Sequence, residues 1–202
     1  MWSQNDEEPV ILRELTDLPT GRLLDIGAHD GRSNSNTFAL IELGWGGVLV
    51  EPSPGPFTSL LARHGENPRL TLVNAAIAPE PGFRPFHDSM GDQVSTLSDK
   101  HRDFWSHAVP AWNSFLVSAV SPLQLFAGVG MRFDFVNIDV EGMNHEIAAA
   151  MPWAALVANG LRLTCIEHEG LPDRLDQLLG PHGFKRVHLT SENAIHGVTR
   201  KL

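Results

Sequence analysis

Short continuous apolar runs alternate with longer amphipathic stretches along most of this chain. "RLLDIG" and "GGVLVEP" read as buried strands, and "NTFALIELGW" between them sets Phe38, Ile41 and Trp45 on one helix face. Strand, helix, strand is the unit that builds a parallel sheet. "SPGPFTSLLARHG" predicts a helix capped by Ser53 and stopped near Gly65, and "PRLTLVNAAI" predicts a third strand. Gly82, with apolar residues around it, predicts a hairpin.

Residues 88–113 lack clear periodicity and carry His and Trp side chains, so they are expected to form a lid or substrate region. Beyond them, "FLVSAVSPLQLFAGVG" reads as a strand and a helix, and "RFDFVNIDVEG" as the central strand. A helix from His145 to Met151, stopped by Pro152, leads to the strand "LRLTCIEHEG". The helix "LPDRLDQLLG" precedes "GFKRVHLT" and "NAIHGVTR", which predict a closing hairpin. Residues 1–20 form an N-terminal extension whose "VILRELTDL" predicts a short helix packed on the domain, and residues 21–202 form one alternating α/β domain.

A length of 202 residues suits a single core, and 42% apolar with 19% charged residues is ordinary for a soluble globular chain. Lys and Arg number 15 against 24 Asp and Glu, giving a formal charge of −9 with no basic run to offset it. Nucleic-acid binding needs clustered positive charge, so a nucleic-acid partner is not expected. Cys165 lies within an apolar run and reads as a buried, inert thiol. The first residues lack the basic and apolar regions of a secretory signal, and no apolar stretch reaches the ~20 residues that cross a bilayer. A cytoplasmic protein without membrane insertion is the expectation.

The stretch "LLDIGAHDGRSNSNT" carries the first chemical signal. Glycines after the first strand of an open α/β sheet permit a tight turn and a close ligand approach, while the next helix start offers free N–H groups. Glu51 then ends the second strand, where an acid can accept hydrogen bonds from both ribose hydroxyls. A pyrophosphate seat would need G-x-G-x-x-G, but His29 takes the middle position. A single adenosine with a cationic sulfonium tail needs no such seat, and Asp25 suits that tail. S-Adenosylmethionine is therefore favoured over a nicotinamide dinucleotide.

"LLDIGAHDGRSNSNTF", "GWGGVLVEPSPGPFTSLL", "LVNAAIAPEPG", the "STL" of residues 95–97 and "FDFVNIDVEG" together resemble the successive motifs of FkbM-like methyltransferases. The resemblance implies an α/β, Rossmann-like class I methyltransferase fold: a seven-stranded, mostly parallel sheet with helices on both faces and an antiparallel last strand. It also implies S-adenosyl-L-methionine as cofactor and methylation of a hydroxyl. Position by position, it places Asp25, Gly27, Ala28 and Gly31 at the methionine end, and Glu51 with Pro52 at the ribose. Asn74 and Ala75 fall at the adenine edge, with Asp139 and Glu141 beside the transferable methyl. Asn137 and Asn144 stand where family members often carry Lys and an acid.

An alcohol acceptor must lose a proton, so a nearby base or metal is useful. Asp139 is the first candidate base, against a reading as helix cap; Glu141 and His29 are the other catalytic candidates. His145 reads as a solvated first-turn histidine, and Ser35, Asn36 and Thr37 as helix-capping residues or part of the site. Asp139, Glu141, Glu167 and His168 could gather a divalent ion, although their spacing matches no known ligand motif. His87, His101, His107, Trp105 and Trp112 would serve the lid by touching a sugar or by holding the lid down. The aromatic-rich stretch is equally a face for a homodimer.

These observations predict an S-adenosylmethionine-dependent O-methyltransferase acting on a small-molecule or sugar acceptor. The alternatives are a scaffold module of the same fold and, less favoured, an NAD-dependent oxidoreductase.

Overall fold

The fold comes from a computed structural model that describes residues 1–90 and 93–199. In chain order, α1 (Glu7–Glu14) precedes β1 (Arg22–Ile26), α2 (Phe38–Glu42), β2 (Gly46–Val50), α3 (Pro54–His64) and β3 (Leu70–Val73). Next come β4 (Ala76–Ile77), β5 (Gly82–Asp88), α4 (Asp99–Trp105), β6 (Asn113–Val120) and α5 (Pro122–Val129). The chain finishes with β7 (Phe135–Ile138), α6 (Asn144–Ala150), α7 (Trp153–Ala158), β8 (Leu163–Glu167), α8 (Pro172–Leu179), β9 (Phe184–Leu189) and β10 (Asn193–Val198).

Seven strands make one sheet in the order β3-β2-β1-β7-β8-β10-β9. The pairs from β3 through β8 are parallel, and β10 runs antiparallel to both β8 and β9. The expected seven-stranded, mostly parallel sheet with an antiparallel last strand is thus present. Successive strand residues point to opposite faces, and both faces are apolar. Leu24, Ile26, Val136 and Ile138 pack with Phe126, Ile147, Trp153, Leu156 and Leu179 of the later helices. Leu23, Leu49, Phe135 and Cys165 pack with Val10, Ile11, Leu40 and Leu60 of α1 to α3. Cys165 is fully buried, as expected, and burial raises its thiol pKa well above the ordinary value.

Four local expectations are corrected. The third strand splits: β3 stays in the main sheet, while β4 joins a separate three-stranded sheet in the order β4-β6-β5. Gly82 therefore starts β5 and does not turn a hairpin, because β6 lies between β4 and β5. Pro152 stops α6 but also precedes α7, whose Trp153 and Leu156 are buried. Trp45 lies beyond the short α2, yet it is buried in the core that holds Leu40 and Ile41. Residues 88–113 are less irregular than their sequence suggests, because Ser98 caps α4 by accepting from the His101 N–H. Among the described residues, no helix is long and apolar enough to cross a membrane.

Candidate functional site

Parallel strands end at one edge of the sheet, and this arrangement gathers the predicted residues. β1 pairs with β2 and β7 so that Asp25 lies beside both Leu49 and Asn137. Gly27 and Ala28 both donate backbone N–H bonds of 3.0 Å to the Val50 carbonyl. That turn presses on the neighbouring strand end: Gly27 has φ +92°, and a Cβ there would lie 1.7 Å from the Asp139 carbonyl oxygen. Only glycine fits.

Glu51 is held by its surroundings. Its Oε1 accepts from the Ser53 N–H at 2.7 Å and its Oε2 from the His29 N–H at 2.9 Å. The Asn74 carboxamide donates to the Glu51 carbonyl at 2.8 Å and so fixes the strand end. Burial pushes the Glu51 carboxyl up to about 7; the two N–H donors oppose that rise, and the Asp25 and Asp88 charges add to it. Ser53 precedes α3 as expected, but its hydroxyl turns to Asp88 at 3.2 Å and makes no cap bond.

Glu51 forms part of a cleft holding about 600 Å³ of empty space, some of it open to solvent. Val50, Ala75, Ile77, Phe86 and Leu97 supply apolar walls, and Gly27, His29, Pro52, Gln93, Asp139 and Glu141 are among the other lining residues. Volume and mixed polarity are those of a small-ligand site. A second, more polar cavity shares Gly27, His29, Gln93, Asp139 and Glu141 with the cleft and adds Asp25, Ala28, Asn36 and Asn137. Asp139 and Glu141 therefore stand at the junction of two spaces.

A buried polar network supports the second cavity. Asp25 accepts from the Thr37 hydroxyl at 2.6 Å and from the Asn137 carboxamide at 2.9 Å. Asn36 donates to Asn137 at 3.2 Å, and the Ser35 hydroxyl accepts from the Phe38 N–H at 3.0 Å. The three-residue polar group thus holds the start of α2 against Asp25. Burial still raises the Asp25 carboxyl above its usual range against the pull of these donors.

At the junction, one carboxylate oxygen each from Asp139, Glu141 and Glu167 lie within 4.8 Å of one another. Burial, and then the Glu141 charge, push the Asp139 carboxyl well up; burial and the Asp139 charge do the same to Glu167. Asn144 organises this edge. Its carboxamide donates to the Glu167 and Glu169 carboxylates, and its oxygen accepts from the Val140 N–H at 2.9 Å. From the lid side, the Thr96 hydroxyl donates to the Glu141 carbonyl, and His101 Nε2 lies 3.0 Å from Glu141 Oε2.

Several predicted residues sit elsewhere or act differently. Asp139 does not cap α6, which begins after Met143 without a side-chain cap. His168 stands apart from the carboxylate trio: its Nδ1 accepts from the Gly170 N–H at 3.0 Å, and its Nε2 lies 3.3 Å from the Thr190 carbonyl. Three oxygen ligands would suit a hard cation, and among the described residues no imidazole belongs to the group. His145 is buried, not solvated, with Nε2 3.0 Å from the His168 carbonyl. Gly31 lines neither space; it packs under Leu60 and His64, whose ring nitrogen lies 3.1 Å from the Gly31 carbonyl. Asn74 supports the Glu51 backbone, while Ala75 lines the cleft. His87 is buried between Ser114 at 2.8 Å and Asp99 at 2.9 Å, and Trp105 stacks on His107, so these lid residues hold the lid together.

His29 occupies the strained corner of the site with φ +48°, and neither ring nitrogen has a hydrogen-bond partner among the described residues. Burial lowers its pKa, partly offset by Asp30. The result is a neutral imidazole on a residue that lines both spaces. Sequence reasoning missed the positioning roles of Asn137, Asn144 and Thr96. A polar Asn137 inside the apolar "FDFVNID" run, in register with Asp25, was the available signal.

Residues 25–153 match the sequence profile of the Methyltransferase FkbM domain family. A search of functionally curated proteins returns no match. Among solved structures, the chain is similar to a ribosomal protein L11 methylase from Lactobacillus delbrueckii subsp. bulgaricus, with a TM-score of 0.52 at 12% identity over 98% of this chain and 81% of that one. It is similar also to a precorrin-6y C5,15-methyltransferase from Geobacter metallireducens GS-15, with a TM-score of 0.52 at 14% identity over 97% of this chain and 90% of that one. At these identities the likeness is one of fold alone, and it is the match to a methyltransferase family that implies S-adenosylmethionine as the cofactor.

Proposed function

The chain belongs to the FkbM methyltransferase family, and from that premise we propose that it methylates a hydroxyl of a small or carbohydrate-like acceptor. The observation that carries this reading is the position of Asp139, on the wall shared by the Glu51 cleft and the polar cavity.

The cleft fits an adenosyl sulfonium. Glu51 keeps both carboxylate oxygens within reach of a vicinal diol, because each accepts only one backbone N–H in the described structure. Ala75, Ile77 and Phe86 offer an apolar slot for a base, and among the described residues no Lys or Arg lines the cleft to receive a pyrophosphate. Asp25, Asp139 and Glu141 favour a cationic tail. When bound, S-adenosylmethionine supplies the electrophilic methyl group.

The chain's own part is positioning and proton transfer. Burial and the Glu141 charge raise the proton affinity of the Asp139 carboxylate, so it is suited to take the acceptor's hydroxyl proton. Glu141 is steadied by Thr96 and His101, and His29 borders the same space as a neutral polar wall. Asp139→Asn keeps the shape and removes the base. Methyl transfer from labelled S-adenosylmethionine should fall at least about 100-fold while S-adenosylhomocysteine still binds. Undiminished transfer would remove Asp139 from the chemistry.

A further inference from the structure

We propose that residues 2–6 form a strap across the methionine end of the cofactor site, and that the Gln4 carboxamide on it donates to the α-carboxylate of S-adenosylmethionine. The inference rests on the methyltransferase reading above. It adds a cofactor contact from a segment outside the stretch that matches the family, residues 25–153.

The first observation is a charge left without a counterpart. A methionine tail carries a carboxylate as well as its ammonium and sulfonium, and the polar cavity that meets it is lined by Asp25, Asp139 and Glu141. Those acids suit the two cations and repel the carboxylate. Among the described residues no Lys or Arg lines the cavity, and the Arg32 guanidinium of the adjoining loop lies instead over the Trp2 ring, 4.6 Å from its centroid. Both His29 ring nitrogens are shut off from solvent. The carboxylate therefore depends on other uncharged N–H donors.

The second observation is that the donors around the cavity are mostly committed. The Gly27 and Ala28 N–H groups bond the Val50 carbonyl, the His29 N–H bonds Glu51, and the Gly31 N–H bonds the Ala28 carbonyl. Among the carboxamides, Asn36 donates to Asn137, Asn137 to Asp25, Asn34 to Gln93, and Gln93 to the Ser33 carbonyl. Gln4 lines the same cavity, and its side chain makes no hydrogen bond among the described residues. Of these five carboxamides, that of Gln4 is free for a ligand, and a charged acceptor makes its N–H bond a strong one.

The third is that the chain is fastened on both sides of Gln4. Before it, the Trp2 ring meets Phe38 edge-on at 4.9 Å, and the buried Ser3 pairs with Asn34 in a parallel bridge. The Ser3 hydroxyl also donates to the Asn5 carbonyl at 2.9 Å and accepts from the Glu8 N–H at 3.1 Å. After it, the Asn5 N–H donates to Glu7 at 2.9 Å, and Glu7 accepts from the Thr190 hydroxyl at 2.8 Å. The strap thus runs from the cofactor loop to the β9–β10 turn. Its neighbours are fixed, and Gln4 alone among residues 2–5 is left without a hydrogen bond or ring contact of its side chain among the described residues.

The test is calorimetry on the full chain with S-adenosylhomocysteine and with methylthioadenosine, which keeps the adenosine and the thioether but lacks the amino-acid group. Gln4 is exposed, so Gln4→Leu removes the donor without disturbing the core. S-Adenosylhomocysteine affinity is expected to fall about tenfold in that variant, while methylthioadenosine affinity stays the same. Gln4→Glu sets a like charge against the carboxylate at neutral pH and should lower S-adenosylhomocysteine affinity further. Trp2→Ala loosens the strap at its Phe38 contact and should also act on S-adenosylhomocysteine alone. An S-adenosylhomocysteine affinity that any of these substitutions leaves unchanged overturns the inference, and so does an equal loss for both ligands. Failure of the unaltered protein to bind S-adenosylhomocysteine would instead defeat the methyltransferase reading itself.

Discussion

Glu7 and Glu51 are both buried carboxylates near the main sheet, and the protein treats them in opposite ways. Glu7, at the start of α1, accepts from the Asn5 N–H at 2.9 Å, the Thr190 hydroxyl at 2.8 Å, and the Asn193 and Asn5 carboxamides at 3.1 and 3.2 Å. Burial alone would raise its pKa, but these donors overcome that effect and hold it below the usual range. Glu51 has two backbone donors and two acidic neighbours, and its carboxyl rises to about 7. A carboxylate saturated with donors fastens the N-terminal segment to the β9–β10 turn, whereas one left short of donors awaits a ligand. The same contrast marks Asp139 and Glu167 as site residues.

The largest effect that tests this contrast is on stability. Glu7→Leu strands the Thr190, Asn193 and Asn5 donors and should lower unfolding free energy by about 3 kcal/mol in urea titration. Glu51→Gln should cost far less near pH 8 and weaken S-adenosylhomocysteine binding instead. Equal losses would erase the distinction between the two acids.

Next comes pH dependence, which sharpens it. An unfolded glutamate gives up its proton at about 4.3, while folded Glu51 keeps its proton to about 7. Between those values the folded state binds more protons, so this term makes stability fall as pH rises, by about 3 kcal/mol across the window. Glu7 acts the other way: its stabilisation is present above the unfolded value and is lost as pH drops through its lowered folded value. Denaturation of the Glu51→Gln protein should therefore show a flatter slope between pH 5 and 7. An unchanged slope would mean that Glu51 is not the titrating group.

A smaller effect concerns the network behind the polar cavity. Thr37→Val removes the 2.6 Å donor to Asp25 and should cost about 1 kcal/mol at neutral pH, read as a lower thermal midpoint. No change would make that hydroxyl a bystander.

Much of this was legible in the chain. Continuous apolar runs predicted β1, β2, β7 and β8, because strands of a parallel sheet are buried on both faces. The order of Asp25, Gly27 and Glu51 led to the cleft, since a strand end and the turn after it are local features. What was hidden depends on distant pairing. β4 has two residues and looked continuous with β3, and only its pairing to β6 separates them. α7 follows Pro152 directly, so a residue that ends one helix concealed the start of another. His168 was grouped with Glu167 by adjacency, but successive residues at a strand end point apart. Gln4 joined the site through the N-terminal segment, for which periodicity gives no signal.

The measurement that bears most directly on the account is calorimetric titration of the purified chain with S-adenosylhomocysteine and, in parallel, with NADH. The account predicts binding of the adenosyl ligand, weakened about tenfold or more in Glu51→Gln, and no binding of NADH. Binding of NADH, or affinity for S-adenosylhomocysteine that is absent or indifferent to Glu51, would contradict it.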